Sequence, residues 1–125
     1  MTKSIKIAVD AMGGDGSPKK VIDGIYNHYK NSKSTFYRIF GDEDQIKNLI
    51  PKTLSNNNFE IIHTKNFVKG TDTPLEAAKR GKDTSMWLAI ESVKQKISDI
   101  VTMKKELLDP QGNTVQQKIN KIRLF

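Results

Sequence analysis

The sequence predicts an α/β domain built on a mostly parallel sheet. Short stretches rich in β-branched and aromatic residues alternate with longer stretches whose apolar residues recur at helical spacing. Glycine, proline and asparagine separate these stretches. A helix between two strands returns the chain to the starting edge of the sheet, so successive strands run parallel.

The first strand and the first helix are predicted within the first thirty residues. The apolar run Ile5–Val9 ends at Asp10 and a glycine-rich turn, as a short buried strand does. Ser17 and Pro18 form a helix start signal, with serine as the cap and proline at the first helical position. The apolar residues that follow share one helical face: Val21, Ile22, Ile25, Tyr26 and Tyr29.

Two further strands are predicted along the chain. Thr35–Phe40 is rich in strand-forming residues and ends at Gly41, and Phe59–His63 follows an asparagine turn. A short helix stopped by Pro51 fits between them. Its apolar residues are Ile46, Leu49 and Ile50.

The helical signals resume at Thr73–Glu76, which has the capping-box pattern with proline at the first helical position. A further helix is predicted from about Thr84 to Lys96, with one apolar stripe: Met86, Ile90, Val93 and Ile97. From Thr102 the character changes, and no strand-like run follows to extend the sheet. We therefore divide the chain into an α/β portion, residues 1–101, and a divergent tail, residues 102–125.

Composition narrows the class of protein. The 125 residues contain no cysteine, which excludes disulfides, cysteine-ligated zinc and thiol nucleophiles. No stretch approaches the roughly 18 apolar residues of a membrane-spanning helix, and Asp10 interrupts any apolar signal region. We therefore expect a cytoplasmic protein.

The net charge of +7 favours acidic partners or a lysine-rich solvated surface. The basic residues are scattered, and aromatic residues make up only 7% of the chain, so the layout typical of nucleic-acid binding is missing. We therefore expect no nucleic acid among the partners.

The loop Asp10–Lys20 concentrates the chemistry of the chain. Glycines allow tight turns and close approach to a ligand, and a helix that begins at Pro18 offers N–H groups to an anion. The loop follows a strand of a parallel sheet, where ligands bind. No nucleotide-binding fingerprint is present, however, and the carboxylates of Asp10 and Asp15 would repel an anion unless cations compensate. A structural turn and an anion site both stay open, as do backbone bonding, acid–base or metal chemistry for the two carboxylates.

A second cluster, Lys79–Ser85, places three cations before a helix start. These charges and the positive end of the helix dipole would attract the same anion. The alternative is a solvated basic turn with a serine or threonine cap. His28 and His63 are expected in surface or capping roles, and Trp87 is expected to pack rather than to stack on a ligand.

The opening stretch Ile7–Asp15, followed by a helix-starting proline, resembles the N-terminus of the bacterial phosphate acyltransferases. Further segments agree in order and spacing over about residues 5 to 101: Phe40–Glu43, Phe59–His63, and Lys82–Met86 leading into Ala89 and Val93. That family moves a fatty acyl group from acyl carrier protein to inorganic phosphate, giving acyl phosphate for phospholipid synthesis.

The resemblance implies a three-layer α/β/α fold similar to isocitrate and isopropylmalate dehydrogenase. It also implies a reaction without a cofactor, in which phosphate oxygen is itself the nucleophile on the thioester, so that no enzyme cysteine or covalent intermediate is needed. No metal ligand is assigned among the site residues, and the assistance of a metal stays open. Acyl carrier protein and inorganic phosphate would be the partners, with a membrane-associated acyltransferase acting downstream. Members of the family form homodimers, and contact with the membrane periphery is an open alternative to a purely cytoplasmic location.

Carried over by position, the resemblance places Asp10 and Asp15 as catalytic residues. Gly13 and Gly14 would complete the active-site loop, while two residues at the second helix start would contact phosphate: Lys82 and Ser85. Thr84 stands where the family usually has a serine, a mild departure because a hydroxyl remains.

The large departure follows Val101. There the family continues into a Ser-Ala-Gly-Asn-Thr-Gly motif and a much longer chain, whereas this sequence has Thr102–Lys105 and ends at Phe125. The resemblance therefore implies a truncated member with an unrelated tail, whose own activity is open. The alternative function is a non-catalytic module that binds an anion or the carrier protein.

Overall fold

The chain, described by a computed structural model, folds around one parallel sheet. The structure describes residues 5–69, 71–98, 100–102 and 122–123. The sheet order is β3-β2-β1-β4-β5. The strands are β1 (Lys6–Asp10), β2 (Phe36–Gly41), β3 (Phe59–His63), β4 (Ile100–Thr102) and β5 (Ile122–Arg123). The helices are α1 (Lys19–Asn31), α2 (Glu43–Lys47), α3 (Pro74–Lys79) and α4 (Ser85–Lys94).

Strand order places β1 at the centre of the sheet. Ile7 lies opposite Tyr37 of β2 on one side and opposite Ile100 of β4 on the other. The chain builds β2 and β3 on one side of β1 and then crosses to β4, so the order reverses between β1 and β4. In parallel sheets, such a reversal leaves a crevice at the carboxyl ends of the strands, where ligands bind. The loop after β1 begins at this point.

Helices cover both faces of the sheet. On one face, Val9 and Ile39 pack in the same core as Ile22 and Ile25 of α1. On the other face, Ala8 and Phe40 pack with two residues of α4, Met86 and Ala89. Because successive strand residues point to opposite faces, one strand supplies both cores. The prediction of a three-layer α/β/α arrangement is confirmed.

The predicted apolar face of α1 is confirmed, since Ile22, Ile25 and Tyr29 are buried. Ser17, however, does not cap this helix, which begins at Lys19 after a cis Ser17–Pro18 peptide bond. Its hydroxyl instead accepts a hydrogen bond from the Gly14 N–H. The predicted threonine cap of α3 is confirmed, because the Thr73 hydroxyl accepts from the Glu76 N–H, and the Glu76 carboxylate reaches back to the same hydroxyl.

The predicted stripe of α4 is wrong in part. The helix buries Ser85, Met86, Ala89 and Ser92. Ile90 and Val93 are only partly buried, and Ile97 lies beyond the helix with 46% of its surface exposed. The two serines enter the core because each has a hydrogen-bonding partner there, which apolar periodicity does not reveal.

The expectation that no strand follows residue 101 is also wrong. Thr102 belongs to β4, and Ile122 pairs with Val101 to add β5 in parallel at the edge of the sheet. Strands of two or three residues are too short to show a period in the sequence. Residues 103–121 and 124–125 of the predicted tail lie outside the described residues, and the division at residue 101 stays a prediction. Among the helices that the structure describes, none is long and apolar enough to cross a membrane.

Candidate active-site loop

A buried hydrogen bond joins the loop after β1 to the start of α4. Asp10 is the last residue of β1, and only 8% of its surface is exposed. The Ser85 hydroxyl donates to Asp10 Oδ1 over 2.5 Å, and the Met12 N–H donates to the same oxygen over 3.1 Å. The contact therefore connects two segments that are 75 residues apart in the sequence.

The glycines of the loop serve different purposes. A Cβ at Gly13 would lie 2.6 Å from the Val68 carbonyl oxygen and 3.3 Å from Asp10 Oδ2, so the backbone at residue 68 fits only against a glycine. Gly14 is half-buried, and its N–H donates to the Ser17 hydroxyl over 3.2 Å. Gly16 has a φ of 76°, which side chains other than glycine rarely adopt.

Asn66 holds the turn that precedes α4. Its side-chain Nδ2 donates to the Arg80 carbonyl over 2.8 Å and to Asp83 Oδ1 over 2.7 Å, while its backbone carbonyl accepts from the Ser85 N–H over 3.0 Å. The Thr64 hydroxyl adds a 2.7 Å bond to the Asp83 carbonyl. These contacts fix Ser85 against Asp10.

Sequence reasoning missed Thr64 and Asn66. One signal could have found them: both residues come soon after β3, at the same carboxyl end of the strands as Asp10.

An ion pair also holds the segment before α4. Arg80 donates to both carboxylate oxygens of Asp72, over 2.6 and 3.0 Å, and so closes the loop that contains α3.

Thr84 caps α4 and is itself buried, with its hydroxyl 3.1 Å from the Trp87 N–H. Thr84→Ser keeps the hydroxyl and loses only a buried methyl group, which Thr84→Ala loses as well. We expect Thr84→Ala to be less stable than Thr84→Ser by about 1 kcal/mol, because only in Thr84→Ala does the N–H lose its acceptor. Urea unfolding of both variants checks this, and equal losses in the two would contradict the capping role.

The structure brings Asp10, Gly13 and Ser85 together but leaves Asp15 and Lys82 further out. Asp15 is exposed on the loop, next to Gly14. Lys82 is exposed, and its Nζ lies 6.0 Å from the centre of the Trp87 ring. Among the described residues, no group of three or more His, Asp or Glu side chains is placed to hold a metal ion.

Both histidines have structural partners. His63 Nδ1 accepts a 3.0 Å hydrogen bond from the Glu43 N–H at the start of α2, which confirms a capping role. His28 Nδ1 lies 2.6 Å from the hydroxyl of the buried Tyr37. Burial raises the pKa of this tyrosine to about 12, so the phenol stays protonated.

Burial raises the pKa of the Asp10 carboxyl above its ordinary value of 3.8, against the opposing effect of hydrogen bonds from Ser85, Met12 and Gly13. The neutral form of Asp10 is therefore favoured more than in a free carboxyl. Asp72 behaves in the opposite way, because the hydrogen bond from Arg80 lowers its pKa to about 2.

These shifts predict a pH dependence of stability. Because the folded-state pKa of Asp10 is raised, the folded chain retains a proton that the unfolded chain releases, and stability is lost as pH rises from 3.8 through the folded pKa. We expect the Tm of Asp10→Asn, relative to the parent, to increase over that range. Thermal unfolding between pH 3 and pH 8 measures the difference.

Asp72→Asn is the control of opposite sign. The lowered pKa of Asp72 contributes stability above pH 3.8 that disappears as pH falls towards 2, so this variant should lose Tm at neutral pH, and its deficit should shrink towards pH 3. A Tm difference for Asp10→Asn that does not change with pH would contradict the raised pKa.

Comparisons with known proteins match the part of the chain that contains this site. The model of a family described as "Fatty acid synthesis protein" matches residues 5–104. A phosphate acyltransferase of Pelagibacter ubique is 69% identical over 101 residues, which cover 81% of this chain and 30% of the relative.

Relatives of lower identity carry the same name, phosphate acyltransferase. The phosphate acyltransferase of Streptococcus thermophilus is 36% identical, and that of Lacticaseibacillus casei is 40% identical, each over 95 residues and 76% of this chain. The chain spans 27% to 30% of the length of these curated relatives. The matched segment contains β1, the glycine loop, α4 and β4. The chain belongs to the fatty acid synthesis protein family, in which its curated relatives are phosphate acyltransferases.

Proposed function

We propose that this chain forms the phosphate side of a site that transfers a fatty acyl group from acyl carrier protein to inorganic phosphate. The product, acyl phosphate, would be used in phospholipid synthesis by a membrane-associated acyltransferase. The observation that carries the proposal is the buried bond between Asp10 and Ser85, which fixes a glycine loop against the start of α4. It lies at the carboxyl edge of the sheet, beside the reversal of strand order.

The reaction needs no nucleophile from the protein. A phosphate oxygen attacks the thioester carbonyl, a C–O bond forms, the C–S bond breaks, and the carrier thiolate leaves and takes up a proton. The work of the protein is then to position phosphate and to stabilise the negative charge on the carbonyl oxygen.

The loop offers groups for this task. Phosphate would replace the Ser17 hydroxyl as the acceptor of the Gly14 N–H, and Lys82 would contribute positive charge from the start of α4. Asp10 would fix Ser85 at the start of α4 through its buried hydrogen bond. Asp15, exposed on the loop, is the candidate to accept or return a proton.

Charge supports the carrier protein as acyl donor. Acyl carrier protein is strongly acidic, so a chain of net charge +7 would attract it and speed the encounter. The association should therefore weaken as ionic strength rises.

The test is an acyl-transfer assay on this chain and on the full-length Pelagibacter relative. Each is incubated with long-chain acyl carrier protein and phosphate, and acyl phosphate is trapped with hydroxylamine. We expect transfer by the relative, and saturable binding of both substrates by this chain. Binding of carrier protein without phosphate binding would favour the non-catalytic module, and binding of neither substrate would overturn the proposal.

A further inference from the structure

A groove lies at the amino ends of the strands, whereas the Asp10 loop lies at their carboxyl ends. It has a volume of about 370 Å³ and is formed where α2, the following turn and the start of β3 meet. Phe59, which lines it, is the first residue of β3, whereas Asp10 is the last residue of β1. In a parallel sheet, these two positions lie at opposite ends of the strands, so the groove is separate from the candidate active site.

The lining combines an apolar floor with a basic rim. The floor consists of Ile50, Pro51, Leu54 and Phe59, and it continues the core that α1 covers. Lys47 and Lys52 line the groove together with one amide side chain, that of Asn56. Four of the seven lining residues are apolar and three are polar or charged, so the groove suits a ligand that has both an apolar and a polar part.

The charges around the groove favour an anion. The Lys47 side chain is more than half exposed, and its Nζ lies 3.5 Å from Asp44 Oδ1. An exposed ion pair of this kind contributes little to stability, so Lys47 can pair with the anionic group of a ligand instead. Glu60 follows Phe59 in β3, but adjacent strand residues point to opposite faces of the sheet, so its carboxylate points away from the face that Phe59 occupies. The Glu60 carboxylate pairs instead with Arg38 of the neighbouring strand β2.

From this lining, we propose that the groove binds a small amphipathic anion, with an aliphatic tail on the apolar floor and a carboxylate or phosphate head between Lys47 and Lys52. The two lysines supply two positive charges, and the Asn56 amide can donate a hydrogen bond to the head. The site would bind its ligand without any contribution from the Asp10 loop.

Titration of the ¹⁵N-labelled full chain with octanoate and with octyl phosphate tests the site. We expect saturable shifts of amides between residues 47 and 59, with a Kd on the order of 1 mM for a ligand of about ten non-hydrogen atoms. Whichever of octanoate and octyl phosphate binds with the lower Kd identifies the preferred head group. Octanol lacks the charge of octanoate, and acetate lacks its tail. If both parts of the groove contribute, each should bind at least about tenfold more weakly than octanoate.

Lys52→Met removes one rim charge but keeps the length of the side chain. We expect it to weaken binding roughly fivefold, and Lys47→Met to act similarly. Lys94→Met, an exposed lysine on α4, is the matched control and should leave the affinity unchanged. Equal binding of octanol and octanoate, shifts outside residues 47–59, or equal effects of Lys52→Met and Lys94→Met would each overturn the proposal.

Discussion

Gly13→Ala is expected to destabilise the chain and to disturb the candidate site together. The added Cβ would lie 2.6 Å from the Val68 carbonyl oxygen, a backbone atom that cannot turn aside as the end of a side chain can. Either the loop or the segment at residue 68 must move. Overpacking of this kind costs about 1–3 kcal/mol, and we expect a loss of that size in the free energy of unfolding.

Gly14→Ala is the matched control for this prediction. A Cβ there would lie 3.4 Å from the Ser17 hydroxyl, an ordinary contact, and the φ angle of Gly14 lies outside the range that disfavours side chains. Its stability should equal or slightly exceed that of the parent, because alanine restricts the unfolded chain. Chemical denaturation of both variants measures the difference, and equal stabilities would contradict the close approach to Val68.

Ser85→Ala is the second change with a large expected effect. It removes the hydroxyl that donates to the buried Asp10 carboxyl, which keeps its hydrogen bonds from the loop backbone but loses its link to α4. A buried polar group that loses a partner costs about 1–3 kcal/mol, so we expect a loss of this order at neutral pH. The stability of Ser85→Ala should also recover in part in acid, where the carboxyl is protonated.

A double-mutant cycle isolates the bond. Combined with Asp10→Ala, Ser85→Ala should cost less than it does alone, with a coupling energy of about 0.5–3 kcal/mol. Ser92→Ala provides the control, because this buried serine of the same helix bonds instead to the Ala89 carbonyl and to Ser98. Its cost should add to that of Asp10→Ala. Additive costs for Ser85→Ala would show that the hydrogen bond contributes nothing to joining loop and helix.

The parts of the fold that local patterns determine were predictable from the sequence. β1 and β2 lie within one residue of the predicted strands, β3 has the predicted bounds, and the threonine cap starts α3 where expected. Each of these features depends on residues within a few positions of one another. Periodicity and capping preferences therefore carry the necessary information.

The parts that depend on distant contacts were not predictable in this way. Ser85 is buried because Asp10, 75 residues away, accepts its hydroxyl, and Asn66 fixes the turn through bonds to Arg80, Asp83 and Ser85. Nothing in the immediate neighbourhood of these residues reveals such partners. The loop motif alone indicated a turn or an anion site, and the resemblance to a family added the proposed role.

In the proposed site, the Asp10 loop and the start of α4 hold inorganic phosphate. Titration of the ¹⁵N-labelled chain with phosphate at constant ionic strength tests this site. We predict saturable shifts of the amides of Gly13, Gly14, Lys82 and Ser85, with a Kd on the order of 1 mM, and their loss in Gly13→Ala. Shifts confined to scattered lysines, or identical shifts with chloride in place of phosphate, would contradict phosphate binding at this site.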